Sequence, residues 1–301
     1  MSIIDFLIDL FTAKKLKNYK SVQIGQTQAW YGRANAWPLD RSLLRKELNA
    51  MAKAGVSGYL IEMSGWGRYK NQQWTDKWLK EVEEEYNWLL SSCRKRNIYL
   101  FVSIVNDNMG HNKYGDKGPL LEKVYGMAQK LVEIVKKGGS KGVYVQPVAE
   151  TQTAAGKRFD QYCVVALGSR GFKLVYNGSG GHPSGAAPGF QHFAVHPSKV
   201  SAANPSNAFV VSDHGLIIRE LANGKLEGPG NPATVMKWAS MCRNKGCPVV
   251  GYYAFKYEKY DEGTINALGN GIKRDCKAAD GAVEEEDLFP VDPDTDAAEG
   301  D

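Results

Sequence analysis

The chain has few cysteines and lacks the long apolar runs of membrane proteins. Its 301 residues include five cysteines, an odd number, widely scattered and without a CxxC pair. This spacing argues against a disulfide scaffold or a structural zinc site, and it favours reduced thiols in a cytoplasmic protein. The longest apolar runs, such as 208–211, have the length of a strand rather than the roughly 20 residues that cross a bilayer. We therefore expect a protein that is not integral to a membrane.

Signatures of nucleotide and metal binding are also missing. No GxxxxGK[ST] motif occurs, and the segment GSGGHPSG lacks the strand, turn and helix that a phosphate-binding loop needs. No nucleic-acid-binding module is recognisable either. His192 and His196 share a strand face, but four residues of extended chain separate them by about 13 Å, which is too far for one ion. The sequence predicts no cofactor, no metal and no specific nucleic-acid partner.

The N-terminal segment 1–20 does not resemble a secretion signal. In MSIIDFLIDLFTAKK two acids lie inside the apolar part and the lysines follow it, which reverses the charge order of a signal peptide. Its apolar residues recur at helical spacing, so we expect a short amphipathic helix that docks on its own domain or on a partner chain. A membrane-surface anchor is the alternative. This opening also resembles the starts of many phage-encoded small proteins, which suggests a virion-associated protein.

Charge is distributed unevenly along the chain. The C-terminal segment 283–301 holds nine acids and no lysine or arginine, a formal charge of −9. Since the whole chain carries +5, residues 1–282 carry +5 + 9 = +14. We expect a disordered acidic tail behind a basic body, and the tail could screen that body within one molecule.

Between these ends, residues 21–282 alternate short strand-like runs with longer amphipathic stretches. Helices are predicted to open after Pro38 and at Thr75, and the first of them is predicted to end at Gly55. The region 178–207 is rich in Gly, Pro and Ser and contains one strand-like piece, FQHFAVHP. Eight strands in this alternation predict an α/β fold, a (β/α)8 TIM-type barrel; an open, doubly wound sheet is the alternative.

Polar and aromatic residues follow most of the predicted strands. In a barrel of this type the active site lies at the C-terminal ends of the strands. In strand order these residues are Gln28 and Trp30, Glu62 and Trp66, Asn106, Asp107 and Asn108, Glu150, Asn177, His196, Asp213 and His214, and Tyr253 and Glu258.

Carboxylates, amides and aromatic faces suit the cleavage of a glycosidic bond between two carboxyl groups. From 22 to 278 the layout resembles the glycoside hydrolase barrels, most of all the cellulase-like clan. The resemblance implies that Glu150, in QPVAET, is the acid/base and that Asp213, in VVSDHG, lies at the nucleophile position. Glu62 and Glu258 are alternative partners of Glu150.

The chain departs from the pattern of that clan at two positions. Ala149 stands where the clan has Asn, directly before the strand-four Glu, and Asp213 stands where it has Glu. The shorter Asp side chain could open the carboxyl separation from about 5 to 5.5 Å towards the roughly 6.5 to 9.5 Å of inverting enzymes. Activity therefore stays open at this point.

The leading hypothesis is a glycoside hydrolase-like protein that cleaves or binds a polysaccharide. Its catalytic candidates are Glu150, Asp213 and Glu62. The alternative is a catalytically inactive barrel that serves as a structural or glycan-binding component of a larger assembly. Sugar contacts are predicted for the remaining strand-end side chains, namely Trp30, Trp66, Asp107, Asn177, His196, His214 and Tyr253.

Overall fold

We describe a computed structural model of the chain. It describes residues 27–33, 38–64, 75–106, 118–149, 151–177, 189–190, 192–195, 208–213, 232–244, 247, 249–254 and 262–273. The predicted N-terminal helix in 1–20 and the acidic tail 283–301 lie outside these residues and stay predictions.

Strands and helices alternate along the described chain. The strands are β1 Gln28–Arg33, β2 Gly58–Glu62, β3 Tyr99–Asn106, β4 Val143–Ala149, β5 Lys173–Tyr176, β6 His192–Val195, β7 Ala208–Asp213 and β8 Val249–Ala254. The helices are α1 Arg41–Ala54, α2 Asp76–Arg94, α3 Gly118–Gly138, α4 Ala154–Cys163, α5 Pro232–Asn244 and α6 Glu262–Ile272, and a π-helical turn, Val164–Gly168, extends α4.

All strand pairings are parallel and join neighbours in the sequence. Each strand from β1 to β7 pairs with the next, and β8 pairs with β1, where Gln28 lies beside Val249 and Arg33 beside Ala254. The sheet therefore forms a closed ring. The predicted mixed α/β alternation with a parallel sheet is confirmed, and the open doubly wound alternative is wrong.

Capping residues set the helix ends at the positions that the sequence indicates. The side chains of Asp40 and Thr75 accept hydrogen bonds from backbone N–H groups in the first turns of α1 and α2. Gly55 ends α1 in the left-handed conformation, with φ of 78°, which glycine adopts without steric cost. Thr153 caps α4 in the same way as Thr75 caps α2.

Strands β1 to β5 and β8 bury side chains on both faces. Their outer face packs on the helices, and a second cluster fills part of the barrel interior. The interior cluster consists of Trp30, Leu60, Phe101, Tyr144, Val175 and Val249, with Tyr99 and Tyr253 packed against it. Aromatic edge contacts hold it together, since the ring centroid of Trp30 lies 5.1 Å from that of Tyr144 and 5.8 Å from that of Phe101.

A buried ion pair joins the barrel wall to α1. The Arg33 Nε atom lies 2.7 Å from a carboxylate oxygen of Glu47, and both side chains are almost completely buried. The hydroxyl groups of Tyr31 and Tyr59 donate to the two oxygens of the same carboxylate, each at 3.2 Å. A buried charge pair needs such additional donors to offset its desolvation. This cluster faces outward, so it anchors α1 and is not part of the barrel interior.

Two further sequence predictions concern cysteines and membranes. Cys93, Cys163, Cys242 and Cys247 are free and buried. Within the described ranges, no helix combines the length and the apolar character that a membrane span requires.

Candidate functional site

The lower part of the barrel interior is closed by aromatic side chains. Trp30 pairs with Gly58, the first residue of β2, and it is fully buried against Tyr144 and Phe101. Strand β1 begins at Gln28 and runs on to Arg33, so the expectation that it ends near Trp30 is wrong. The indole is a core residue and leaves no face for a sugar.

Above this aromatic layer, polar side chains line neighbouring strands. Glu62 of β2 pairs with Ser103 of β3, which pairs with Gln146 of β4. Gln146 donates from Nε2 to the Ser103 hydroxyl at 3.2 Å, and Asn177 donates from Nδ2 to the Gln146 Oε1 atom at 3.3 Å. We call Glu62, Ser103, Gln146 and Asn177 the polar row. It runs along the wall of the barrel from β2 to the end of β5.

Two buried atoms at this level can form hydrogen bonds but have no partner among the described residues. The Asn177 Oδ1 atom and the Tyr253 hydroxyl are both buried and make no hydrogen bond in the described part of the chain. The amide nitrogen of Asn177 is engaged by Gln146, so its oxygen is left as an acceptor. Buried polar atoms without partners cost free energy, and they are commonly satisfied by a ligand or by water.

Tyr253 is electrostatically coupled to Glu62. Burial, and then the negative charge of Glu62, raise the pKa of the Tyr253 hydroxyl well above its usual range. Gly32 pairs with Tyr253 on one side and with Leu60 on the other, and it brings no side chain between β2 and β8. Tyr253 is therefore a neutral phenol at physiological pH and can act as a hydrogen-bond donor.

The carboxylate of Glu62 lies at the end of β2, as predicted. Its side chain is buried, and one of its oxygens accepts a hydrogen bond of 2.6 Å from the Ser64 hydroxyl. Charge-assisted hydrogen bonds of this length orient a carboxylate firmly. The Glu62 carboxylate is thus held in one orientation, next to the neutral Tyr253 phenol.

The end of β4 is held by the residue that follows the predicted acid. The Thr151 amide donates to the Asn177 carbonyl oxygen at 2.8 Å, and the Thr151 hydroxyl donates to an Asp160 carboxylate oxygen at 2.8 Å. Ala149, on the other side, pairs with Asn106 at the end of β3. Both chain neighbours of position 150 are therefore fixed at the same end of the barrel as Glu62.

Strand β7 ends at Asp213, the predicted second carboxylate. The backbone of Asp213 pairs with that of Tyr253. Because parallel strands all end on one side, the described strand ends Glu62, Ala149 and Asp213 share one rim of the barrel.

Comparisons with known proteins agree with this fold. No protein-family model matches the sequence, and no curated protein matches it significantly. Solved structures do match. The chain shares its fold with glycoside hydrolases. A hyperthermostable endo-1,4-β-D-mannanase from Thermotoga petrophila RKU-1, solved with maltose and glycerol, aligns with a TM-score of 0.53 at 8% identity over 82% of this chain and 99% of that one.

Two further structures show the same likeness. An endo-1,4-β-mannanase from Rhizomucor miehei aligns with a TM-score of 0.52 at 9% identity over 84% of this chain and 99% of that one. A glycoside hydrolase family 5 protein from Bacteroides vulgatus ATCC 8482 aligns with a TM-score of 0.51 at 11% identity over 80% of this chain. This chain covers 62% of the Bacteroides protein. These comparisons do not support the phage resemblance of the N-terminal segment.

Several predicted residues of the glycoside hydrolase-like site lie outside the described residues. These are Glu150, Trp66, Asp107, Asn108, His196, His214 and Glu258. Their roles stay predictions, as does the catalytic role of Asp213. In the part of the chain that the structure covers, no group of three or more His, Cys, Asp or Glu side chains could hold a metal ion.

Sequence reasoning missed the middle of the polar row. Ser103 and Gln146 lie inside their strands rather than at the ends, so a search of strand ends passes over them. Alternation along β3 and β4 is the signal that finds them, because Ser103 lies two residues beyond Phe101 and Gln146 two residues beyond Tyr144, and both aromatic rings face the interior.

Proposed function

We propose that the protein binds a polysaccharide at the C-terminal rim of the barrel and cleaves its glycosidic bonds. Glu150 acts as the proton donor, and Asp213 or Glu62 supplies the second carboxylate. The observation that carries the proposal is the placement of the strand ends Glu62, Ala149 and Asp213 on one rim. Nearby lie two buried hydrogen-bonding atoms, on Asn177 and Tyr253, that have no hydrogen-bond partner among the described residues.

The polar row suits a sugar rather than an apolar ligand. Sugar hydroxyl groups both donate and accept, and they can satisfy the acceptor on Asn177 and the neutral donor on Tyr253 together. The carboxylate of Glu62 accepts strongly from a hydroxyl group at the same level. The mannanases with the same fold support this substrate class.

The proposed division of labour follows from the barrel geometry. Glu150 protonates the leaving oxygen, while the second carboxylate attacks the sugar or activates water from the other side. Thr151 positions the end of β4 through Asn177 and Asp160. The amides and hydroxyl of the polar row, on Ser103, Gln146 and Asn177, contact the sugar hydroxyl groups and do not take part in proton transfer.

The proposal is tested on a panel of polysaccharides that includes β-mannan and chitin. Product sugars are measured for the wild type and for the variants E150Q, D213N and E62Q. Loss of general acid catalysis lowers the rate by about 10²- to 10⁴-fold. The matched control is E84Q on the exposed face of α2, which should leave turnover unchanged. Unchanged turnover in E150Q overturns the assignment of the acid.

Binding without cleavage is the second candidate, and one observation favours it. Ala149 stands where the resembled clan has an amide directly before its acid. If the protein binds without cleaving, a polysaccharide in the gel should retard the wild type in affinity electrophoresis, and no sugar should be released. N177A and Y253F then weaken retention, whereas E150Q does not.

A further inference from the structure

The face of the barrel opposite the candidate site is strongly basic. Helices end and strands begin on this side, because each helix runs back against the parallel strands. We call it the basal face. Its exposed or half-exposed cations are Lys53, Arg94, Lys95, Lys141, Arg170, Lys173, Arg243 and Lys273.

No acid balances these cations within the described turns. The turns 55–57, 95–98, 139–142 and 169–172, which connect helices to strands on this side, contain no Asp or Glu. None of the eight cations forms an ion pair with a described residue. By contrast, Lys136 and Lys137, in the last turn of α3, pair with Glu133 and Glu83 and are not counted among the eight.

The negative ends of the helix dipoles offset only part of this positive charge. Each helix C-terminus carries about half a negative charge, so six helix ends contribute about −3. Arg94 illustrates the local role, since its guanidinium donates to the carbonyl oxygens of Gly138, Gly139 and Lys141 at the end of α3. Eight cations exceed the helix-end charge by about five. The remainder can attract an anionic partner.

The chain itself carries a matching acidic segment, which follows the end of α6 in the sequence. Helix α6 ends at Ile272 on the basal side, and Lys273 donates to Asn270 there. Nine residues, 274–282, separate Lys273 from the segment 283–301, which has nine acids and no cation. Nine extended residues reach about 30 Å, and a body of this size is about 45 Å across, so the segment can cover the face.

We propose that the acidic segment 283–301 docks on the basal face of its own chain. The contact is electrostatic and does not depend on the proposed catalytic role. Tethering provides a high effective concentration, so many weak ion pairs are sufficient for occupancy. Salt weakens the contact, because the Debye length falls from about 10 Å at 0.1 M to about 3 Å at 1 M.

Carbodiimide cross-linking of the full chain, followed by peptide mass spectrometry, tests the docking. Amide links are expected from 283–301 to Lys53, Lys95, Lys141 and Lys173. The matched control lysines, which are exposed in the N-terminal halves of helices, are Lys46, Lys77, Lys80, Lys157 and Lys237. Links to the basal lysines should exceed links to the control lysines by about tenfold at low salt and disappear in 1 M NaCl.

A second readout uses variants that leave the tail unchanged. The basal variant carries K53Q, K95Q, K141Q and K173Q, and the control variant carries K46Q, K77Q, K80Q and K157Q, an equal loss of charge. A glutamate-specific protease should cut the tail several-fold faster in the basal variant than in the wild type, with no change in the control. Circular dichroism checks that both variants are folded.

Three outcomes overturn the proposal. One is cross-links distributed evenly over basal and control lysines. Another is links that appear only in a cross-linked dimer, which would make a second copy the occupant. The last is equal cleavage of the tail in both variants.

Discussion

The indole ring of Trp30 occupies the space that a side chain at Gly58 would need. A Cβ atom built on Gly58 would overlap three atoms of the Trp30 ring. The two residues pair across β1 and β2, so the ring lies over a strand position that only glycine can provide. This fit allows the largest side chain to fill the lower interior of the barrel.

Replacing Gly58 by alanine should therefore destabilise the barrel by about 1 to 3 kcal/mol, the usual cost of overpacking. The free energy of unfolding in urea measures it. Gly126 is the matched control, because it lies exposed in α3 with no atom within 4 Å of an added Cβ. G126A should stabilise by about 0.5 to 1 kcal/mol. Equal effects of the two substitutions would contradict the packing of Trp30 on Gly58.

Removal of Glu47 should be among the most destabilising single changes. E47A removes the buried carboxylate that lies 2.7 Å from the Arg33 Nε atom and accepts hydrogen bonds from the Tyr31 and Tyr59 hydroxyl groups. Breaking a buried pair in this way costs about 3 to 5 kcal/mol. The exposed pair of Lys137 and Glu83 provides the control, and E83Q should change the unfolding free energy by less than about 1 kcal/mol. A small effect of E47A would show that Arg33 reaches solvent.

The buried thiols should be unreactive in the native protein. Cys93, Cys163, Cys242 and Cys247 are buried, and burial raises the pKa of Cys93 to about 12. At pH 8 an aromatic disulfide reagent should therefore label at most one thiol quickly, and all five after denaturation. Rapid labelling of two or more thiols before unfolding would contradict this part of the core.

Alkaline pH should destabilise the folded protein, because the buried Cys93 thiol keeps its proton at pH values where an exposed thiol loses it. The thiol of Cys93 binds its proton up to a pKa of about 12 in the folded chain, against about 8.5 when unfolded. Between these values the unfolded state binds fewer protons, so stability falls by about 1.4 kcal/mol per pH unit for this group. Measured from pH 8 to 11, the unfolding free energy of C93A should fall less steeply than that of the wild type. The difference in slope should be about 1.4 kcal/mol per pH unit, which corresponds to one proton. Parallel curves would show that Cys93 is not the group that titrates.

Much of the fold was predictable from local patterns. The period of apolar residues, the capping residues Asp40 and Thr75, and the glycine after α1 mark helices that the structure confirms. Strand ends at Glu62 and Asp213 were also correct. These features depend on interactions within a few residues, which the order of amino acids states directly.

The error at Trp30 has a different origin. A tryptophan near a predicted strand end suggests a sugar platform, but β1 extends three residues further and the register with Gly58 places the ring in the core. The middle of the polar row was missed for the same reason. Ser103 and Gln146 become neighbours only when β3 and β4 pair with one particular register.

The sequence by itself determined the alternation of strands and helices, the helix ends and the separation of a basic body from an acidic segment, because periodicity, capping and charge are properties of neighbouring residues. Tertiary structure decided which residues meet inside the ring. Pairing of β8 with β1, and the register around the barrel, bring Tyr253 within the field of Glu62 and place the helix-end cations on one face. Contacts between residues far apart in the chain depend on closure of the sheet, which no local pattern encodes.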